Sequence, residues 1–290
     1  MLEIDDQVFI FFLLLFQGIG NQIEACTSVI VSGKVTQDGR PLMWKHFDNE
    51  NQLNKKVIFL SEGKYSAMAV VNAGYEKNTT IWMGYNSTGF GIMSTDSGNL
   101  HDSLRVEINK SGIFMKEALL NCASVEEFES FLKNYPKPHS FRVNFGVVDA
   151  RGNGAYFETN NFTYIRYDVN DSKVAPCGYL IRTNYSLSGL FGKGHGYIRY
   201  RTVERILERE KGKKLSIDFF LDSICLSLEN SLSEQKLQDF GNAREHEKHY
   251  MYFQDCINRY STGAAAVIQW VRDGEDPRMT TMWTFLGERC

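Results

Sequence analysis

The chain has 290 residues, of which 43% are hydrophobic and 23% charged, with a formal net charge of -3. This balance is ordinary for a folded globular chain, and it excludes both a multi-span membrane protein and a disordered one. The small net charge, with no basic stripe, argues against nucleic acid as the main partner.

In chain order, the first feature is the apolar run Val8 to Phe16. It is far shorter than the roughly 20 residues a membrane-crossing helix needs, so no stable membrane span is expected. With the polar segment ending Ile23-Glu24-Ala25, it reads as a signal peptide over residues 1–25, and the location it implies is secreted or periplasmic. Glu3, Asp5 and Asp6 stand where Lys or Arg is usual, and Ile23 where a small residue is usual.

After Ala25 the pattern is that of β structure. Thr27 to Val35 is rich in β-branched residues, Asp38-Gly39 supplies a turn, and Pro41 to Phe47 returns. A second hairpin spans Val57 to Leu60 and Tyr65 to Asn72. A third spans Thr79 to Gly84 and Gly89 to Ser94 around Asn86-Ser87-Thr88-Gly89. Helices are predicted over Gly112 to Asn121 and, behind the capping box Ser124 to Glu127, through Leu132, where Pro136 and Pro138 stop the second. Phe141 to Asp149 and Gly154 to Thr159 form strands around Arg151-Gly152-Asn153, and Tyr164 to Val169 and Gly178 to Arg182 continue the sheet. Helices follow at Ile198 to Glu210 and Ser216 to Leu228, then strands at Tyr250 to Phe253, Thr262 to Val271 and Thr280 to Leu286. Strands, then helices, then strands, without βαβ alternation, give an α+β fold layered around antiparallel sheets. No linker rich in Pro, Gly or Ser divides it, so residues 26–290 form one domain.

The six cysteines (Cys26, Cys122, Cys177, Cys225, Cys256 and Cys290) lie far apart without a CxxC pair, which is not a zinc pattern. Most are expected to be buried thiols, with one unassigned pair left open. His246 and His249 have metal-like spacing but no third ligand nearby, so a metal is not expected.

Cleavage between Ala25 and Cys26 would place a thiol and a free α-amine on one residue. An α-amine has a reference pKa near 8. It can therefore exchange protons with the thiol and with a leaving group, replacing the separate histidine of other thiol hydrolases.

Several segments widen the case: Cys26-Thr27-Ser28, Asp38 to Asp48 (DGRPLMWKHFD), Asn86 to Phe90, Asn144 to Glu158 (NFGVVDARGNGAYFE), Arg182-Thr183-Asn184, Arg199 to Arg205, and Thr280 to Thr284. In order and spacing they resemble the choloylglycine hydrolase family of N-terminal-nucleophile hydrolases, including its penicillin acylase and isopenicillin N acyltransferase-like relatives. The resemblance covers Cys26 to Gly287. It implies a four-layer αββα sandwich with Cys26 at the end of a central strand, cleavage of linear amide C–N bonds through a thioester, and no cofactor. The implied partner is a small-molecule amide with an apolar acyl group; a homo-oligomer is left open.

The family's Arg-x-x-Asp pair falls here on Lys45 and Asp48. Asp48 would hold the α-amine and the Lys45 cation would favour thiolate, with lysine losing the planar fork of arginine. Asn184 resembles the oxyanion-hole asparagine. For the second donor the chain offers Ser94-Thr95-Asp96. Both Arg199 and Arg201 match the arginine that opens the next helix, and Arg199 is preferred. His46 points away from Lys45 and Phe47 on an alternating strand, and its role is structural. The alternatives are an acyltransferase with the same chemistry and a non-catalytic lipid-anchored binding protein, since Ile23-Glu24-Ala25-Cys26 is also a partial lipobox.

Overall fold

A computed structural model describes residues 25–49, 54–74, 80–102, 109–234, 236 and 253–287. The proposed signal peptide up to Glu24, Cys290, His246, His249 and most of the strand expected at Tyr250 to Phe253 lie outside them. Phe253 is described and has no regular secondary structure.

The strand segments form two antiparallel sheets. One has five strands in the order β10-β1-β2-β11-β12, with β1 at Ala25–Val31, β2 at Leu42–Asp48, β10 at Tyr179–Arg182, β11 at Thr262–Gln269 and β12 at Thr281–Leu286. The other is a seven-stranded meander: β3 (Lys55–Leu60), β4 (Ala67–Asn72), β5 (Ile81–Asn86), β6 (Gly91–Asp96), β7 (Val143–Val148), β8 (Gly154–Thr159) and β9 (Tyr164–Asp168). Period-two alternation splits the side chains between the faces. On β7, for example, Val143, Phe145 and Val147 join one apolar cluster and Val148 another.

The two sheets face each other through Ile30, Met43, Phe47, Met83, Met93, Tyr156, Ala266 and Trp270. Helices α1 (Ser111–Asn121) and α2 (Val125–Asn134) cover the outer face of the meander, with Phe114 and Phe128 against Phe145. Helix α3 (Tyr197–Arg209) covers the five-stranded sheet, with Val203, Ile206 and Leu207 against Val29, Val31 and Ile181. The layers are therefore α, β, β, α, as the resemblance implied.

Local signals explain the boundaries of α2. Ser124 Oγ accepts from the Glu127 N–H at 3.1 Å, and Glu127 Oε2 accepts from the Ala123 N–H at 2.9 Å. The helix stops at Asn134, just ahead of Pro136.

Two expectations need correction. β10 does not continue the sheet of β9; it crosses to the other sheet and pairs with β1, Ser28 opposite Arg182. The helix expected at Ser216 to Leu228 is shorter, with a π-helical turn over Phe219–Ile224 in which the Cys225 N–H bonds back to the Phe220 carbonyl at 2.9 Å. Phe220 and Ile224 are buried against the sheet, so packing sets this turn, not a full amphipathic face. Among the described residues no disulfide joins the cysteines, and no helix is long and apolar enough to cross a membrane.

Candidate active site

Cys26 is the second residue of β1, which lies between β10 and β2, and it is 3% exposed. The pairing of β1 with β10 runs from Val31 opposite Tyr179 to Ser28 opposite Arg182, and the same register would next set Cys26 opposite Asn184. The backbone ladder ends first. The Asn184 carbonyl turns away and accepts from the N–H groups of Gly98 and His195, each at 3.2 Å. Its side chain fills the gap, because the Cys26 N–H donates to Asn184 Oδ1 at 2.8 Å.

Arg199, in the first turn of α3, closes the other side. It is 2% exposed, and its Nη1 donates to the Cys26 carbonyl and, at 2.7 Å, to Thr27 Oγ1. Its Nη2 donates to Asn184 Oδ1 at 2.8 Å. Burial, followed by repulsion from Arg259, lowers the Arg199 pKa to about 10, so the side chain stays a cation at neutral pH. Gly196 makes room for it: its φ is +81°, and a Cβ there would stand 2.4 Å from Arg199 Nη2. Arg201, the other arginine that matched, is exposed and bonds to Glu204.

Two donors on Asn184 Oδ1 fix which end of the amide accepts from Cys26, and Nδ2 is the donating end. The segment around it is clamped by Asn144 of β7. Asn144 Nδ2 donates to the Thr183 carbonyl (3.2 Å), the Tyr185 carbonyl (3.1 Å) and Thr95 Oγ1 (3.0 Å), and its Oδ1 accepts from Ser186 Oγ at 2.5 Å. Glu158 secures the following turn, accepting from the N–H groups of Leu187 and Ser188, each at 2.8 Å, while paired with buried Arg182 at 2.7 Å.

Lys45 and Asp48 fall on opposite faces of β2. The registers place Lys45 opposite Ser28 and Phe47 opposite Cys26, on the face that meets the second sheet. Lys45 is fully buried; its Nζ donates to the Trp82 carbonyl at 3.2 Å and lies 4.6 Å from the Phe47 ring centroid. Asp48 stands opposite Ala25 on the α3 face, where Oδ2 accepts from Arg259 Nη2 at 2.7 Å and Oδ1 from Thr262 Oγ1 at 2.8 Å. His46 shares that face, and burial lowers its pKa to about 4 although Asp48 opposes the shift.

In the segment offered for the second oxyanion donor, Thr95 faces Asn144, while Asp96 Oδ1 accepts from Asn109 Nδ2 at 2.9 Å. The structure thus gathers Cys26, Asn184 and Arg199 directly, with Lys45 and Asp48 on either side of the sheet. Sequence reasoning missed Thr27, Asn144 and Arg259. The quoted NFGVVD segment contains Asn144, a polar residue within an apolar strand, which is the signal that could have found it.

Neither a protein-family model nor a curated protein sequence matches the chain. Among solved structures, the N-acylethanolamine-hydrolyzing acid amidase ortholog of Caenorhabditis elegans is similar with a TM-score of 0.56 at 13% identity, covering 90% of this chain and 99% of that one. The fold is that of the N-terminal-nucleophile hydrolases. A conjugated bile acid hydrolase of Clostridium perfringens (TM-score 0.48, 14% identity, 90% of this chain and 97% of that one) and penicillin V acylase of Agrobacterium tumefaciens (0.45, 13%, 90% and 83%) are also found. In this chain Cys26 lies near the start of β1, an interior strand of the five-stranded sheet.

Proposed function

We propose that the protein is an N-terminal-nucleophile amidase of the choloylglycine hydrolase type, in which Cys26 becomes the first residue of an exported chain by cleavage after Ala25. The observation that carries this reading is the grip on one residue: the Cys26 nitrogen is held by Asn184 and its carbonyl by Arg199, both buried. Both partners are side chains, where a continuing β ladder would have supplied backbone groups. The similarity of fold to an amide-hydrolysing enzyme supports the reading.

In the proposed reaction the α-amine takes the thiol proton and the thiolate attacks the amide carbonyl. The positive charges of Lys45 and Arg199 favour the anionic sulfur. Asn184 Nδ2 donates to the carbonyl oxygen as it becomes negative, a contact worth about 2.7 to 4 kcal/mol in such sites. The α-ammonium returns its proton to the departing nitrogen, the C–N bond breaks, and an amine leaves with Cys26 acylated. Water, deprotonated by the same amine, then adds to the thioester and releases a carboxylic acid and the free thiol. The substrate is a linear amide with an apolar acyl group, such as a bile-salt, N-acyl amino acid or penicillin-like amide.

The test is turnover of an N-acyl amide panel by the processed protein and by Cys26→Ala, with the first residue established by mass. Activity confined to the chain that begins at Cys26, and lost in C26A, is the expected result. Equal turnover by both proteins, or a diacylglyceryl adduct on Cys26, would overturn it. Added amines that intercept the acyl group faster than water would reassign the protein as an acyltransferase.

A further inference from the structure

The chemistry above needs an uncharged α-amine on Cys26, yet a carboxylate, Asp48, stands opposite Ala25 at the same strand end. A carboxylate with an open side there would favour the ammonium form. Here Asp48 is already engaged. Its side chain is completely buried, that of Arg259 is 7% exposed, and the two meet at 2.7 Å while Thr262 Oγ1 donates to the other oxygen at 2.8 Å.

The grip is built into the entry to β11. The Arg259 N–H donates to Thr262 Oγ1 at 3.2 Å, the Thr262 N–H returns to the Arg259 carbonyl at 2.9 Å, and Arg259 Nη1 donates to the Gln254 carbonyl at 2.6 Å. A register shift between Thr262 and Ala264 leaves Thr262 opposite Asp48. Meanwhile the Cys26 nitrogen finds its partner in Asn184 Oδ1, an oxygen it shares with the Arg199 guanidinium.

We propose that Arg259 is a positioning residue that neutralises Asp48, so that the Cys26 α-amine remains uncharged and able to accept the thiol proton. The proposal rests on the amidase reading. The charged and titratable groups around the amine come from three elements: Lys45, His46 and Asp48 on β2, Arg199 on α3, and Asp255 and Arg259 ahead of β11. With Asp48 and Arg259 paired off, an ammonium would form beside the Arg199 cation, and the repulsion favours the neutral amine. Loss of the Arg259 charge reverses this, because Asp48 is then available to hold the ammonium.

The test is the titration of the Cys26 amine nitrogen by NMR in processed protein labelled with 13C,15N-cysteine, in wild type, Arg259→Gln, Arg259→Lys and the double variant Arg259→Gln/Asp48→Asn. The wild-type midpoint should lie below the reference of about 7.7 to 8.0. In R259Q it should rise by about one unit or more, a tenfold loss of neutral amine at a given pH. R259K should stay near wild type, and the double variant, lacking the freed carboxylate, should return towards it. An unmoved or lowered midpoint in R259Q overturns the proposal. Should R259Q not fold, a wild-type midpoint at or above the reference does so. Amide turnover by the same wild-type sample is scored separately: midpoints as expected without turnover defeat only the amidase reading, and normal turnover with unmoved midpoints defeats only the role of Arg259.

Discussion

Replacing Asn144 with alanine removes the side chain that ties β6 and β7 to the segment carrying Asn184. Four contacts are lost, to Thr95 Oγ1, the Thr183 and Tyr185 carbonyls, and Ser186 Oγ. Each such bond contributes about 0.5 to 1.5 kcal/mol net. The three donor contacts share two amide hydrogens, so the total lies below four independent bonds, at about 3 kcal/mol. Asn144 has no exposed surface, so solvent does not readily replace what is lost. For a domain of this size the melting temperature should fall by on the order of 10 °C. Chemical unfolding followed by circular dichroism measures the stability, and kcat/KM on an N-acyl amide measures the displacement of Asn184, expected at about tenfold or more. Asn144→Asp keeps an acceptor for Ser186 but sets a carboxylate against two carbonyls, and it should be worse than alanine. An unfolding free energy for N144A within about 0.5 kcal/mol of wild type would refute the clamp.

Three other outcomes are expected. His46 titrates near 4 in the folded chain, owing first to burial, against a usual value of about 6.5. The unfolded chain therefore binds more protons between those values, and stability falls by about 3 kcal/mol as pH drops from about 6.5 to 4; urea melts across that range should show a weaker fall in His46→Leu. Arg199→Lys keeps a cation but cannot hold the Cys26 carbonyl, Thr27 and Asn184 together, so steady-state kinetics should show kcat down by about a hundredfold with the fold intact. Glu158→Gln leaves Arg182 buried without its counter-charge and should lower the unfolding free energy by about 3 to 5 kcal/mol in denaturant melts.

The strand alternation and turn residues made much of the fold legible. Gly89 and Gly152 sit at positive φ in the hairpins read from Asn86 to Gly89 and Arg151 to Asn153, and the Ser124 capping signal placed α2. The crossing of β10 to the other sheet was not legible, because period-two patterning fixes the faces of a strand and not its partner. The same limit applied to the site. Cys26, Asn184 and Arg199 stood out by residue type and order; alternation alone sets Lys45 and Asp48, three apart on one strand, on opposite faces, but which of them shares the face of Cys26 is not known until the register is. Arg259 was harder still, since its tie to Asp48 joins residues 211 positions apart across a bulge.

The end of β10 explains why these side chains converge. Had the ladder continued one more pair, the backbone of residue 184 would have satisfied Cys26, as Arg182 does Ser28, and no side chain would be needed there. Because the carbonyl of Asn184 is drawn off by Gly98 and His195, the N–H of Cys26 must be satisfied by something else in a buried place. An amide side chain does this while leaving a second, donating end pointed elsewhere, which a backbone carbonyl cannot offer. The interrupted ladder thus sets an oriented amide, in place of a backbone carbonyl, against the sulfur-bearing residue. Asn184→Asp separates the two roles: the acceptor survives and the donor does not. Its folding stability should therefore change less than that of Asn184→Leu, while both should lose turnover alike. A turnover near wild type in N184D would show that the donating end has no part in the reaction.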